Sequence, residues 1–464
     1  MKKLIIFAGF ILLGIMLVGF FISGQINWLQ FLLLALILVS APLFFLRPEI
    51  GLIILLISRN VIDIFDKQAV LSLGTINFNL ASLMGVAILP WAVYVILNFF
   101  KNNPRDKFLK IPLVKSWLVF ITIALASQLI NQNLKTGLVV LIKLLDFFAL
   151  YISAFILSSQ LSLKKWLKAL ILSLFIPGLF GVAQFLVGTK FSATEITGRL
   201  NGTFNHPNAF AFTLLIALSV IFILLAAKGN LKRKIIWQAL AWGYFVLLLF
   251  TFTRSAWIGL MVVVFVWLIL AKRKLIVSVV ISVLILVFVL PVLANSVNQD
   301  YGLDANNFSI VKRLQPETDE NSSSLLWRER TWQETLPAVW QKPWLGYGLG
   351  SFTEVRNKLI RFATDANIEA HNDYLRLAVE TGLIGVAAYL LLYFNILEIL
   401  LKKFKNNKNY RKITIGLGSL VLAILVVSFA DNVLRNAPVQ WMFWILTGVI
   451  LANLNKYELS NQSN

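Results

Sequence analysis

The 464 residues include only 2 histidines and no cysteine, so side chains able to move a proton near neutral pH are scarce. One histidine stands in Ala370-His371-Asn372-Asp373-Tyr374-Leu375-Arg376-Leu377, where the longest polar segment ends and an apolar helix begins. Asn372 and Asp373 can cap that helix or orient the ring. An imidazole in this position can take a proton from a hydroxyl. The position equally suits a histidine that only hydrogen-bonds backbone.

Two arginines occupy comparable places. Arg199 lies in Gly198-Arg199-Leu200-Asn201-Gly202-Thr203-Phe204-Asn205-His206-Pro207-Asn208, able to bend sharply. Pro207 and Asn208 fit a helix start, where free N–H groups can meet an anion. Arg254 lies in Thr251-Phe252-Thr253-Arg254-Ser255-Ala256-Trp257, a tight hairpin between apolar runs. A guanidinium forks onto phosphate oxygens in a geometry lysine cannot match. The competing role for either arginine is snorkelling to lipid headgroups. Arg435, beside Asp431 and Asn432, is a further candidate for the same cluster or an anchor for a helical turn. Lys143 and Asp146, three apart on one helical face, suit an intramembrane pair. His206 precedes a proline and suits a local hydrogen bond. Gly346-Tyr347-Gly348-Leu349-Gly350-Ser351-Phe352 follows no predicted strand and lacks a Lys-Ser/Thr ending, so it reads as a tight turn under the His371 helix, not a nucleotide loop. No outward loop offers carboxylates at hard-metal spacing, so neither a metal nor a cofactor is expected.

The elements that must position these residues are membrane helices. The chain is 59% hydrophobic and 14% charged, with a mean hydropathy of +0.81. Apolar runs long enough for a roughly 30 Å hydrocarbon layer recur throughout. An all-α polytopic membrane protein with about 12–14 transmembrane helices follows. The net charge of +21 sits mostly in short blocks between apolar runs, the pattern of cytoplasmic loops, and does not call for nucleic acid. Leu4–Ile22, after Lys2 and Lys3, lacks a signal-peptide cleavage pattern and reads as a retained first helix. Further helices are predicted near 28–46, 50–64, 80–99, 116–131, 137–158, 169–187, 208–226, 235–252, 255–271, 275–294, 373–401, 413–430 and 437–454. The run at 50–64 is short, and a re-entrant or interfacial course there would shift the early topology.

With both ends placed in the cytoplasm, every dense lysine block from 101 to 412 falls on that side. Arg199, Arg254, His371 and Arg435 then all land on the opposite, extracytoplasmic face. The segment 295–370, between the eleventh and twelfth helices, is polar, contains Trp327, Trp332 and Trp340, and is predicted to be a helical lid. The organisation expected is 1–194 as N-terminal helices, 195–454 as the functional membrane region, and 455–464 as a disordered polar tail. A transporter of an anionic solute or lipid is the other class such basic sites suit, although polar residues gathered at one face under a loop fit it poorly.

The order Gly-Arg-x-x-Gly-Thr-Phe-x-x-Pro-Asn (198–208), Thr-x-Thr-Arg-Ser-Ala-Trp (251–257), Pro-Trp-Leu-Gly-Tyr-Gly-Leu-Gly-Ser-Phe (343–352) and Ala-His-Asn-Asp-Tyr-Leu (370–375) resembles the O-antigen ligase family, which includes O-antigen polymerases and O-linked oligosaccharyltransferases. The resemblance covers roughly 195–450. It implies a metal-independent membrane glycosyltransferase that takes an undecaprenyl-diphosphate-linked glycan to an acceptor glycan, lipid or protein at the outer face of the cytoplasmic membrane. By that resemblance His371 matches the catalytic base and Arg199 and Arg254 the arginines that engage the donor diphosphate. Asn208, Asn372 and Arg435 are further substrate-binding candidates from the residues themselves. Ligase and polymerase share this donor chemistry, and the motifs do not separate them.

Overall fold

The computed structural model describes residues 43–65, 69–73, 76–130, 134–187, 199–227, 230–271, 324–359, 369–406 and 410–461, with a few isolated positions besides. Residues 28–42 of the helix expected at 28–46, the helix expected at 275–294, nearly all of 4–22, and residues 295–323 and 360–368 of the expected lid lie outside the described residues.

The described chain is all-α apart from one hairpin. Its helices are α1 Pro48–Val61, α2 Leu80–Asn102, α3 Arg105–Leu109, α4 Val114–Gln128, α5 Leu134–Leu157, α6 Leu163–Leu172, α7 Phe175–Val187, α8 Pro207–Ala226, α9 Leu231–Phe250, α10 Arg254–Ala271, α11 Ser324–Gln341, α12 Phe352–Leu359, α13 Asp373–Asn406, α14 Arg411–Val427 and α15 Ala437–Asn461. Six of the described helical stretches are long and apolar enough to cross a membrane: Leu80–Lys101, Leu134–Gln160, Leu163–Val187, Pro207–Ala226, Asp373–Asn406 and Ala437–Asn455. The protein is therefore an all-α polytopic membrane protein. Three shorter apolar helices accompany them: Val114–Gln128, Lys234–Phe250 and Arg254–Leu270.

Two helices form the centre. α8 is apolar all round and buried on every face, as expected of a helix with protein on all sides. α15 lies beside it and packs against α5, with the Trp444 ring centroid 6.0 Å from that of Tyr151 on α5 and 4.7 Å from that of Trp117 on α4. α14 packs against α10 and α8, and α4 against α13.

Four features depart from the sequence reading. α1 has 14 residues, about 21 Å at 1.5 Å per residue, too short to cross. It buries the polar Glu49, Arg59 and Asn60 instead of presenting an apolar surface to lipid. It is followed by the hairpin of β1 (Ala69–Leu73) and β2 (Ile76–Asn79), antiparallel with Leu73 opposite Ile76. The apolar run at 169–187 is divided between α6 and α7. The expected polar tail is helical as far as Asn461, because Asn455-Lys456-Tyr457-Glu458 contains no glycine or proline to stop propagation.

The fourth departure concerns α13, which is broken at Gly382 (φ 69, ψ −177), a backbone region essentially reserved for glycine. The break frees two carbonyls and one N–H that pair with the loop after α11. Tyr347 N–H donates to Val379 O at 2.9 Å, Gly348 N–H to Glu380 O at 2.9 Å, and Leu383 N–H to Pro343 O at 2.7 Å. The glycine-rich stretch is thus a turn packed under the His371 helix, as predicted. A Cβ at position 382 would lie 2.1 Å from Trp344 O. Gly382→Ala is expected to destabilise the protein by at least about 3 kcal/mol, combining backbone strain with a clash against main chain. Thermal unfolding in detergent measures this; an unchanged midpoint would show that the loop and helix yield to each other.

Candidate active site

The helix ends bring distant segments together. The starts of α8, α10, α13 and α15 and the ends of α9 and α14 meet at one end of the bundle. The meeting point is Asp431, buried at 4% exposure in the turn after α14. Its Oδ2 accepts from Asn208 Nδ2 at 2.7 Å and from Ser255 Oγ at 3.1 Å, and its Oδ1 accepts from the Asn432 N–H at 2.9 Å. His371 Nδ1 approaches Oδ1 at 3.5 Å.

His371 is the residue just before Asn372 and α13, and its φ of 44° is left-handed. Histidine enters that region more often than most residues, but it still costs energy that the surroundings must impose. They do so from both sides. Trp332 Nε1 of α11 donates to Ala370 O at 2.7 Å, and Asp373 N–H donates to Ser428 O at 2.8 Å. Asp373 Oδ2 accepts the Leu434 N–H at 2.8 Å, while Asn372 Oδ1 caps the helix by accepting the Leu375 N–H at 3.0 Å. Asn372 is therefore the cap. Asp431, and neither of the two neighbouring residues, faces the ring.

Arg199 is braced by protein groups. Its Nε donates to Thr251 O at 2.8 Å, and one terminal nitrogen donates to Asn208 Oδ1 at 2.9 Å and Thr253 Oγ1 at 3.0 Å. Asn208 thus links Arg199 to Asp431, and the arm holding Arg199 is fastened to the hairpin before α10. Phe252 closes that hairpin with φ 50°, which sets Arg254 on the first turn of α10. Arg254 is half-buried and makes no hydrogen bond or ion pair with any described residue. His206 caps α8, its Nδ1 accepting the Asn208 N–H at 3.1 Å. Arg435 is ion-paired with Glu369, two residues before His371.

The residue that sequence reasoning passed over is Arg328, on α11. One terminal nitrogen donates to Ala430 O at 2.8 Å, and its buried Nε has no hydrogen-bond partner among the described residues. Burial pushes its pKa down, Asp431 pushes it back up, and the like charge of Arg254 pushes it down again, leaving it below the ordinary value. Two guanidinium groups therefore share one neighbourhood with a single carboxylate. The signal in the sequence was weak: Trp327-Arg328-Glu329-Arg330 looks like an ordinary solvated turn of an amphipathic helix.

Burial alone would raise the Asp431 pKa, but the adjacent His371 ring and the charge of Arg328 outweigh it and hold the carboxyl below 3.8. Because the folded value lies below the unfolded one, Asp431 contributes its full stability above about pH 3.8 and loses it as pH falls through the folded value. Asp431→Ala leaves Asn208 and Ser255 without their shared acceptor, at an expected cost of about 2–4 kcal/mol. Asp431→Asn should cost less and flatten the acid limb of the stability curve. Unfolding followed against pH checks both.

Comparison with known proteins follows the same residues. The O-antigen ligase family model matches residues 239–390, a span that contains Arg254, Arg328 and His371. A ComP-specific O-oligosaccharyltransferase from Acinetobacter baylyi is 24% identical over 278 residues, 58% of this chain and 46% of that protein. An uncharacterized protein from Haemophilus influenzae is 25% identical over 236 residues, 47% of this chain and 57% of that one. The chain thus spans about half the length of the curated relatives it matches. Residues 239–390 are thus similar to the O-antigen ligase family.

Proposed function

We propose that the protein is a glycosyltransferase of the cytoplasmic membrane that moves a glycan from an undecaprenyl-diphosphate-linked donor to an acceptor hydroxyl at the extracytoplasmic face. The observation that carries this reading is His371 facing Asp431, with Arg254 and Arg328 in the same electrostatic neighbourhood. The lysine blocks that flank the opposite helix ends support the assigned side.

The acceptor oxygen attacks the anomeric carbon of the donor sugar. Its proton passes to His371 Nε2 as the new glycosidic bond forms. The bond from that carbon to the diphosphate oxygen breaks, and its electron pair leaves with the diphosphate. Arg254 and Arg328 stabilise the charge that grows there. A diphosphate is already a good leaving group, so no acid is needed at its oxygen. Attack from the opposite side inverts the anomeric centre. Asp431, on the Nδ1 edge of the ring, orients His371 and stabilises the imidazolium. Arg199, Asn208 and Asn372 hold these groups in place, with Arg199 also within the reach of a phosphate. α11 covers the site and excludes water, which otherwise competes as acceptor. Residues 195–454 carry this chemistry, and 1–194 support it.

The test is transfer by the full-length chain in detergent from an undecaprenyl-diphosphate-linked oligosaccharide, with and without chelator. Consumption of donor that ignores chelator supports the reading. The product's acceptor end then separates a ligase from a polymerase. Movement of the donor across liposomes without its consumption would replace the enzyme with a transporter.

A further inference from the structure

Beside the active site lies a second polar space. A cleft of about 430 Å³ runs between α1, α2, α5 and the start of α15, lined among others by Arg59, Asp63, Lys143, Asp146, His206 and Arg435. Arg254 and Arg328 do not line it. Much of its wall belongs to membrane-spanning helices, where isolated charges are costly and mark a function by default.

The charges in the cleft are unevenly satisfied. Arg59 is paired with Asp63 at 2.5 Å, and Arg435 with Glu369. Lys143 and Asp146 were expected to pair with each other. They share the cleft wall, but no ion pair joins them, and neither makes a hydrogen bond to any described residue. Asp146 is 4% exposed and its Oδ1 is buried without a partner. Gly85 of α2 keeps this space open: a Cβ there would sit 3.1 Å from Asp146 Oδ2. Lys143 therefore offers a donor that wants an anion, and Asp146 offers an acceptor that wants a hydroxyl. Arg59 and Arg435 already have carboxylate partners, so Lys143 and Asp146 are the charges of the lining left for a guest.

The geometry points to a binding site for a phosphate ester that also carries hydroxyl groups. The phosphate meets Lys143, flanked by Arg59 and Arg435, and a hydroxyl donates to Asp146. Such a group is found on a phosphosugar or on a polyol phospholipid headgroup. Arg435 and His206 connect the cleft to the residues around His371, so on the proposed transferase reading this guest is the acceptor or a lipid seated beside it. The binding itself does not depend on that reading.

Two probes distinguish the sources. Calorimetry on the purified full-length chain in neutral detergent compares glucosamine 1-phosphate with glucosamine and with inorganic phosphate. Native mass spectrometry after reconstitution with phosphatidylglycerol reports lipid that survives delipidation. The expected result is that one of the two phosphate esters is held at least tenfold more tightly than by Lys143→Met. The neutral sugar and free phosphate bind at least tenfold more weakly than glucosamine 1-phosphate if the guest is a sugar. His371→Asn should bind as the wild type does, which keeps failure of the transferase reading separate. Should Lys143→Met not fold, Gly85→Leu decides, because it fills the cleft beside Asp146 without removing a charge and improves helix propensity. Absence of binding by both probes, or equal binding by wild type and both variants, overturns the site.

Discussion

His371→Ala is expected to lower the transfer rate by about 10²–10⁴-fold, the range for loss of a positioned general base. Donor affinity should change little, because the diphosphate is assigned to arginines. Alanine is a flawed probe by itself, since it must also adopt the left-handed backbone of position 371 (φ 44). His371→Asn is the cleaner variant. Asparagine tolerates that conformation, so its thermal midpoint should match the wild type while the rate stays low. If His371→Asn transferred at the wild-type rate, the base assignment would be wrong, and Asp431 would be left as a structural hub alone. Single-turnover measurements with saturating donor separate this from slower product release.

Arg254→Ala and Arg328→Ala should each cost about 10²–10³-fold in kcat, as for removal of one preorganised donor at a developing oxyanion. Lysine at either position restores a charge but not the two-pronged geometry, so recovery should be partial. Stability provides the second readout. Arg254 makes no hydrogen bond to a described residue and repels Arg328, so its removal should leave thermal stability equal or slightly raised. Arg199→Ala should behave differently. It breaks bonds to Thr251, Asn208 and Thr253, and the midpoint should fall along with the activity. A destabilised Arg254→Ala with normal kcat would reverse the two roles.

These contrasts follow the division between what local sequence encodes and what folding assembles. The membrane helices were legible because hydrophobicity is local: α8 and α15 are apolar over a bilayer's width and could be little else. The glycine-rich turn was legible for a similar reason, since Gly346 and Gly348 have no strand before them and adopt positive φ. His371 stood out as one of only 2 histidines, placed at a polar-to-apolar boundary. α1 misled because an apolar run can bury its polar face against protein rather than cross lipid, and composition does not record which neighbour is present.

The partners of the site were not local. Asn208 and Asp431 meet although 223 residues separate them, and Arg328 reaches the Ala430 carbonyl across 102. No periodicity or charge pattern encodes such pairs, because they depend on which helix ends share one end of the bundle. A carboxylate next to a helix turn, as at Asp431, looks the same in sequence whether it meets a ring or water. The residues by themselves determined the membrane helices and the chemical types at their ends. Tertiary structure alone decided that Asp431 would face His371, that Arg328 would join Arg254, and that Lys143 and Asp146 would line one cleft without bonding to each other.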